Sequence, residues 1–178
     1  MLLSGLSWIY EKGINLRNKM YEKGTFGVED LSVPVVSVGN ITVGGTGKTP
    51  VVADLISWSQ LHQIPVGVIS RGYKGSYRGV AQVSSVLEKD PIWGDEPTLL
   101  AQKFPEVPVY VCADRVLAGR TLLSHHQVKW IIADDAFQHR SLGRKMDLVV
   151  FDATMSTQDL LLLPKGRSRE TLQALKRA

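Results

Sequence analysis

The run VVSVGNITVGGTGKTP, from Val35 to Pro50, leaves the chain few folds to choose from. Val35 to Val38 reads as a short buried strand, and the glycines after it break the strand before a helix that begins near Thr49. Strand, glycine-rich turn with Lys-Thr, and helix in that order form a phosphate-binding loop. Gly44, Gly45 and Gly47 let backbone N–H groups converge on phosphate oxygens at the positive end of the helix, beside Thr46. Lys48 reaches the outer phosphates, and the Thr49 hydroxyl is placed to ligate Mg²⁺. The spacing is a variant of G-x-x-x-x-G-K-[ST], because Thr42 stands where the first glycine is usual and the pair Gly44 and Gly45 sits inside the loop. Pro50 suits the first turn of the helix, where a missing N–H loses no intrahelical bond.

Beyond the loop, apolar runs and helical patterns alternate. A helix is expected from Thr49 to His62, a strand from Pro65 to Ser70, a strand from Val80 to Val86 and a helix from Pro97 to Lys103. A strand from Pro108 to Cys112, a helix from Arg115 to His125, and strands from Trp130 to Ala133 and Leu148 to Asp152 follow. The expected fold is α/β: a P-loop NTPase-like, mostly parallel sheet with helices on both faces, binding its ligand at the carboxyl ends of the strands. With 178 residues, one core is the default.

Residues 1 to 23 read as an amphipathic helix that precedes this domain. Leu2, Leu6, Ile9, Leu16 and Met20 recur at helical spacing, Lys12, Arg17, Lys19 and Lys23 lie mostly elsewhere, and Trp8, Tyr10 and Tyr21 suit an interface. Such a segment either lies on an anionic membrane surface or docks on the domain's own core. The net charge of +4 suits an anionic partner, but the basic residues are not interleaved with aromatics as a nucleic-acid platform needs. Arg167, Arg169, Lys176 and Arg177 near the C-terminus fit anionic lipid or solvated surface. Cys112 is the only cysteine, so an internal disulfide is excluded, and its apolar neighbours predict a buried thiol. No apolar run reaches the length of a membrane span, and no secretory signal is present.

The candidate chemistry outside the loop is acidic. Asp134 and Asp135 emerge from the strand ending at Ala133, where a carboxylate holds Mg²⁺ directly or through water. Asp95 and Glu96 lie in WGDEP just before a helix, where they serve either as a cap interacting with the helix dipole or as acceptors of a proton from an attacking hydroxyl. Arg71, at the end of a strand, and Gln138, His139 and Arg140, after the aspartate pair, present donors to phosphate. His139, His125 and His126 lack partners at metal-ligand spacing and read as structural or surface groups.

Taken together, VGNITVGGTGKTP (residues 38–50), SRGY (70–73), GDEP (94–97) and DDAFQHR (134–140) resemble the tetraacyldisaccharide 4′-kinase family of lipid A biosynthesis. The resemblance implies transfer of the ATP γ-phosphate to the 4′-hydroxyl of a tetraacyldisaccharide 1-phosphate by a peripheral protein at the cytoplasmic face of the bacterial inner membrane. It implies ATP binding by Thr42, Val43, Gly44, Gly45, Thr46, Gly47, Lys48 and Thr49, and Asp95 as general base beside a catalytic Lys48. Thr49, Glu96, Asp134 and Asp135 then serve Mg²⁺ and the phosphates, with Asn40, Arg71, Gln138 and His139 as substrate or phosphate contacts. The implied partners are the lipid disaccharide, an anionic membrane surface met by the N-terminal helix, and a C-terminal domain, with no nucleic acid.

The expected organisation is a membrane-associating helix over 1–30, a P-loop kinase domain over 31–165 and a basic segment over 166–178. That last segment is similar to the family's interdomain connection. The family continues through a second α/β domain, where it places a histidine paired with the catalytic aspartate, and these residues are absent here. Ala136 replaces the family's usual glycine, and Lys145 an expected acid. A nucleotide-binding module or NTPase without lipid kinase activity is the alternative.

Overall fold

The computed structural model describes residues 2–84 and 92–178. Its strands are β1 (Val35–Gly39), β2 (Val66–Ser70), β3 (Ala81–Gln82), β4 (Val109–Val111), β5 (Trp130–Asp134) and β6 (Met146–Val149). The helices are α1 (Leu2–Glu22), α2 (Lys48–Leu61), α3 (Asp95–Lys103) and α4 (Arg115–His125), with a short 3-10 helix at Leu172–Arg177. The six strands form one sheet in the order β3-β4-β2-β5-β1-β6, parallel except for the antiparallel edge strand β3.

The apolar runs form buried strands because both faces of the sheet are covered. On one face Val38, Val66, Val68, Val109 and Ile132 pack with Val52 and Ile56 of α2, Leu100 of α3 and Phe104 just after it. On the other, Val35, Ile69, Ile131 and Ala133 pack with Val116, Ala118 and Leu122 of α4. The Cys112 thiol is buried in that second layer, as its neighbours predict.

Two strand expectations need correction. The strand expected over Val80 to Val86 is formed at Ala81 and Gln82, with the Val83 N–H donating to the Val109 carbonyl, and its residues from 85 onward lie outside the described part. The strand expected at Leu148 to Asp152 runs instead from Met146 to Val149, since it pairs with β1 in the register Val36 to Met146 through Gly39 to Val149. Pairing partners, rather than the local apolar run, set where that strand begins and ends.

The helix α1 docks through an unexpected side. Ser7, Tyr10, Arg17 and Asn18 hydrogen bond to residues 162–170, and Ile14 is buried among them, whereas Leu6, Ile9 and Leu16 of the apolar stripe are exposed. The mostly polar side thus faces the domain. Among the described residues no helix is long and apolar enough to cross a membrane.

Close packing also binds the loop strand to the aspartate turn. A Cβ on Gly39 would stand 2.5 Å from the Phe137 Cβ and 2.9 Å from its backbone nitrogen. We therefore expect Gly39→Ala to destabilise the chain by about 2–3 kcal/mol, because backbone must move to admit the methyl group. Urea denaturation checks this, and an unchanged midpoint would refute it.

Candidate nucleotide and phosphate site

The site is assembled by strand order. β1 feeds the glycine-rich loop and lies directly against β5, with Val38 level with Asp134, so the loop and the aspartate turn open side by side at the carboxyl edge. The loop uses its glycines for backbone shape: Gly44 and Gly47 have φ of 108° and 81°, values that side-chain-bearing residues avoid. Helix α2 begins at Lys48 with Gly47 as its cap residue, and neither a capping side chain nor an acidic residue satisfies its first-turn amides. A helix start left in that condition is a receptor for an anion.

Lys48 is buried, and its ammonium lies 3.5 Å from Asp135. Asp135 also receives a fork from Arg169, at 3.1 and 3.0 Å to its two oxygens. Burial pushes the Asp135 carboxyl up, but the hydrogen bonds and charge of Arg169, with Lys48, outweigh it and leave the carboxyl below its ordinary value. Asp135 thus organises the cations beside the loop. Its left-handed φ of 46° turns the chain after β5.

Asp134 is the contrasting partner. It is fully buried, accepts a hydrogen bond from Ser70 at 3.2 Å through one oxygen, and has no hydrogen-bond partner at the other. Burial, then the charges of Glu96 and Asp135, push its carboxyl up to about 7 against the opposing pull of Lys48. Gln138 donates to the Asn40 carbonyl at 2.7 Å, yet its Oε1 is buried without a partner, as is His139 Nε2. Burial and the charge of Arg115 hold His139 down near 4, so it is neutral at physiological pH. Three unpaired buried polar atoms in one turn beside a phosphate loop point to a polar ligand.

Asn40 is buried and donates to the Thr46 hydroxyl at 2.9 Å, bracing the loop from within. Thr49 sits half-buried in the first turn of α2. Helix α3 starts two residues earlier than expected, which puts Asp95 and Glu96 in its first turn and makes Gly94 the cap residue. Both acids are exposed, and Glu96 is close enough to raise Asp134 electrostatically. The Arg71 side chain is exposed, in a cavity of about 610 Å³ lined also by Tyr73, Tyr77, Trp93 and Cys112.

The unpaired Asp134 oxygen and a hydroxyl of the Thr49 type fit a hard, oxygen-seeking cation such as Mg²⁺. Among the described residues no group of three or more His, Cys, Asp or Glu is arranged to hold a metal ion by itself.

Two arginines at the site go beyond the sequence reading. Arg115 is buried at the start of α4, donates to the Ala113 and Asp135 carbonyls at 2.8 and 3.3 Å, and is pulled down to about 10 by burial and then by Arg71. Its place at the start of α4, directly after the cap residue Asp114 in the turn that follows β4, was the available signal. Arg169 carries no comparable signal, and its contacts correct the reading of that residue as lipid-facing or solvated. Arg177 is likewise engaged within the chain, with Glu170 at 3.0 Å.

Comparison with known proteins gives concordant findings. The family model described as tetraacyldisaccharide-1-P 4′-kinase matches residues 1–178. The tetraacyldisaccharide 4′-kinase of Bdellovibrio bacteriovorus is 40% identical over 181 residues, covering 99% of this chain and 52% of its own. That of Aquifex aeolicus is 40% identical over 189 residues, covering 100% and 57%. A crystal structure of the "apo" form of LpxK from Aquifex aeolicus in complex with ATP matches with a TM-score of 0.86 at 40% identity, over 100% of this chain and 57% of that one. The chain spans about half the length of the curated relatives it matches.

Proposed function

This chain belongs to the tetraacyldisaccharide 4′-kinase family, and from that premise we propose that it forms the ATP-binding half of a lipid kinase that phosphorylates the 4′-hydroxyl of a tetraacyldisaccharide 1-phosphate. The observation that carries the reading is the uncapped start of α2 facing a turn whose Asp134, Gln138 and His139 keep buried polar atoms unpaired. The ATP-bound relative of the same fold supports the choice of nucleotide.

In this reading the amides of residues 42–49 and Lys48 hold the ATP phosphates, and Lys48 exchanges its contact with Asp135 for one with the outer phosphates. Thr49 and Asp134 hold Mg²⁺, which supplies charge neutralisation on the phosphates when bound, and Glu96 adds carboxylate charge beside them. Asp95 accepts the proton of the 4′-hydroxyl as that oxygen bonds to the γ-phosphorus and the bond to ADP breaks. Neutral His139, Gln138, Asn40 and Arg71 orient substrate or phosphate oxygens. The outward stripe of Leu6, Ile9 and Leu16 suits a peripheral position on an anionic membrane surface, at the cytoplasmic face, with α1 contacting lipid. A C-terminal domain, as in the longer relatives, completes the acceptor side.

The test is transfer of labelled γ-phosphate from ATP to tetraacyldisaccharide 1-phosphate in detergent. Asp95→Ala is expected to lower kcat by roughly 10²–10⁴-fold while leaving the ATP Kd within about threefold, the signature of a lost general base. An Asp95→Ala chain that turns over at the wild-type rate would remove the base assignment. Wild-type chain that binds ATP but transfers nothing to the lipid would favour the nucleotide-binding module.

A further inference from the structure

Residues 167–170 touch two parts of the molecule at once. On one side they run along the first limb of the glycine-rich loop. The Val43 N–H donates to the Arg167 carbonyl at 2.8 Å, the Arg169 N–H donates to the Ile41 carbonyl at 2.6 Å, and Thr42 and Ser168 form an antiparallel bridge. The Arg169 guanidinium then donates to the Thr42 carbonyl at 3.1 Å, to both oxygens of Asp135 and to Asn40 Oδ1.

On the other side lies Glu170, which is fully buried. Its carboxylate takes Arg17 of α1 at 3.1 Å, Asn18 of α1 at 3.5 Å and Arg177 of the 3-10 helix at 3.0 Å. The Tyr10 hydroxyl, also from α1, donates to the Arg169 carbonyl at 3.2 Å. A buried carboxylate is tolerated only with its charge partners in place, so Glu170 stays where Arg17, Asn18 and Arg177 hold it. Arg169 and Glu170 are adjacent in the chain and engage different neighbours, Asp135 on one side and α1 on the other. Neither can shift without moving the other.

We propose that Glu170 is a positioning residue for the nucleotide loop: anchored by α1, it sets Arg169 against Asp135, so that α1 contributes to ATP binding without touching ATP. The inference rests on reading this loop as the ATP site. Its sign follows from charge. Asp135 is shared by Arg169 and Lys48, at 3.0 and 3.5 Å. When Arg169 withdraws, Asp135 holds Lys48 more strongly, and Lys48 is less available to phosphate. Loosening α1 should therefore weaken ATP binding.

The experiment compares wild type, Arg17→Gln, Arg17→Lys and Asn18→Ala by titration with ATP, thermal melting and amide hydrogen exchange of the ATP-free chain. Arg17→Gln is expected to raise the ATP Kd about five- to tenfold and to speed exchange at Val43 and Arg169, while Arg17→Lys stays within about twofold of wild type. On an Arg169→Lys background the effect of Arg17→Gln should shrink, since the two would act through one chain of contacts. A lower Tm for Arg17→Gln and Asn18→Ala, with Kd within about twofold and unchanged exchange at Val43 and Arg169, would mean a merely structural role and overturn the proposal. If the wild-type chain binds no ATP, the ATP-site reading fails, and exchange at Val43 and Arg169 alone decides the coupling. If Arg17→Gln fails to fold, Asn18→Ala, which removes the longest of the three contacts, carries the same two readouts.

Discussion

Replacing Lys48 with alanine is expected to weaken ATP binding by about 100-fold and to take phosphoryl transfer to a level indistinguishable from background. Lys48 is the one side-chain cation in the first turn of α2, and it is buried, so its attraction to phosphate is little screened by solvent. Charge-assisted hydrogen bonds are each worth about 1.5–3 kcal/mol, and losing contacts to two phosphate groups yields that factor. The fold should survive, because Asp135 keeps the two-pronged bond from Arg169 when Lys48 is gone. We expect a stability change of about 1 kcal/mol, the scale of a partly exposed pair whose acid retains a second partner. Nucleotide titration and thermal melting of Lys48→Ala separate the two effects. Near-wild-type affinity in the variant would dismiss the loop as the phosphate site.

The parts of the molecule that were legible in the sequence share a feature: their cause is local. Val35 to Val38 before the glycines, the start of α2 after Gly47 and the strand ending in Asp134 each follow from residues within a few positions. The aspartate turn was legible for the same reason, since a strand end beside a phosphate loop is where carboxylates act. The α1 stripe of Leu6, Ile9 and Leu16 was also legible, but not the side by which the helix docks. That side is chosen by hydrogen bonds from Ser7, Tyr10, Arg17 and Asn18 to residues more than a hundred positions away. The clasp of residues 41–43 by 167–169 has no periodicity or turn residue to announce it, so Arg169 passed as a surface charge. The offset of β6 has the same origin, because its register is dictated by β1.

At Asp134 stability and function should pull in opposite directions, and a single substitution exposes both. In an unfolded chain an aspartate carboxyl loses its proton near 3.8, whereas in this fold Asp134 keeps it until about 7. Between those values the folded state binds the additional proton, so stability falls as pH rises through that window and is lowest, as far as this group matters, above 7. Asp134→Asn removes the charge but retains an oxygen for Ser70. Below about pH 3 the wild-type group is neutral in both states, and the variant gains nothing. At pH 5 most of the penalty is still absent, and an unpaired amide N–H in Asn offsets the remainder by about 1 kcal/mol. At pH 8 the wild type carries a buried, half-satisfied carboxylate, and the variant should be more stable by about 2–3 kcal/mol, a Tm increase of roughly 5–10 °C. The same variant should lose most Mg²⁺-dependent phosphoryl transfer, since the unpaired carboxylate oxygen that suits the cation is the one whose charge is removed. Calorimetry at pH 5 and pH 8, paired with the transfer assay, tests both halves. A Tm difference that does not grow with pH would mean that Asp134 is ionised throughout, held so by Lys48. Full activity in Asp134→Asn would move the cation to other ligands.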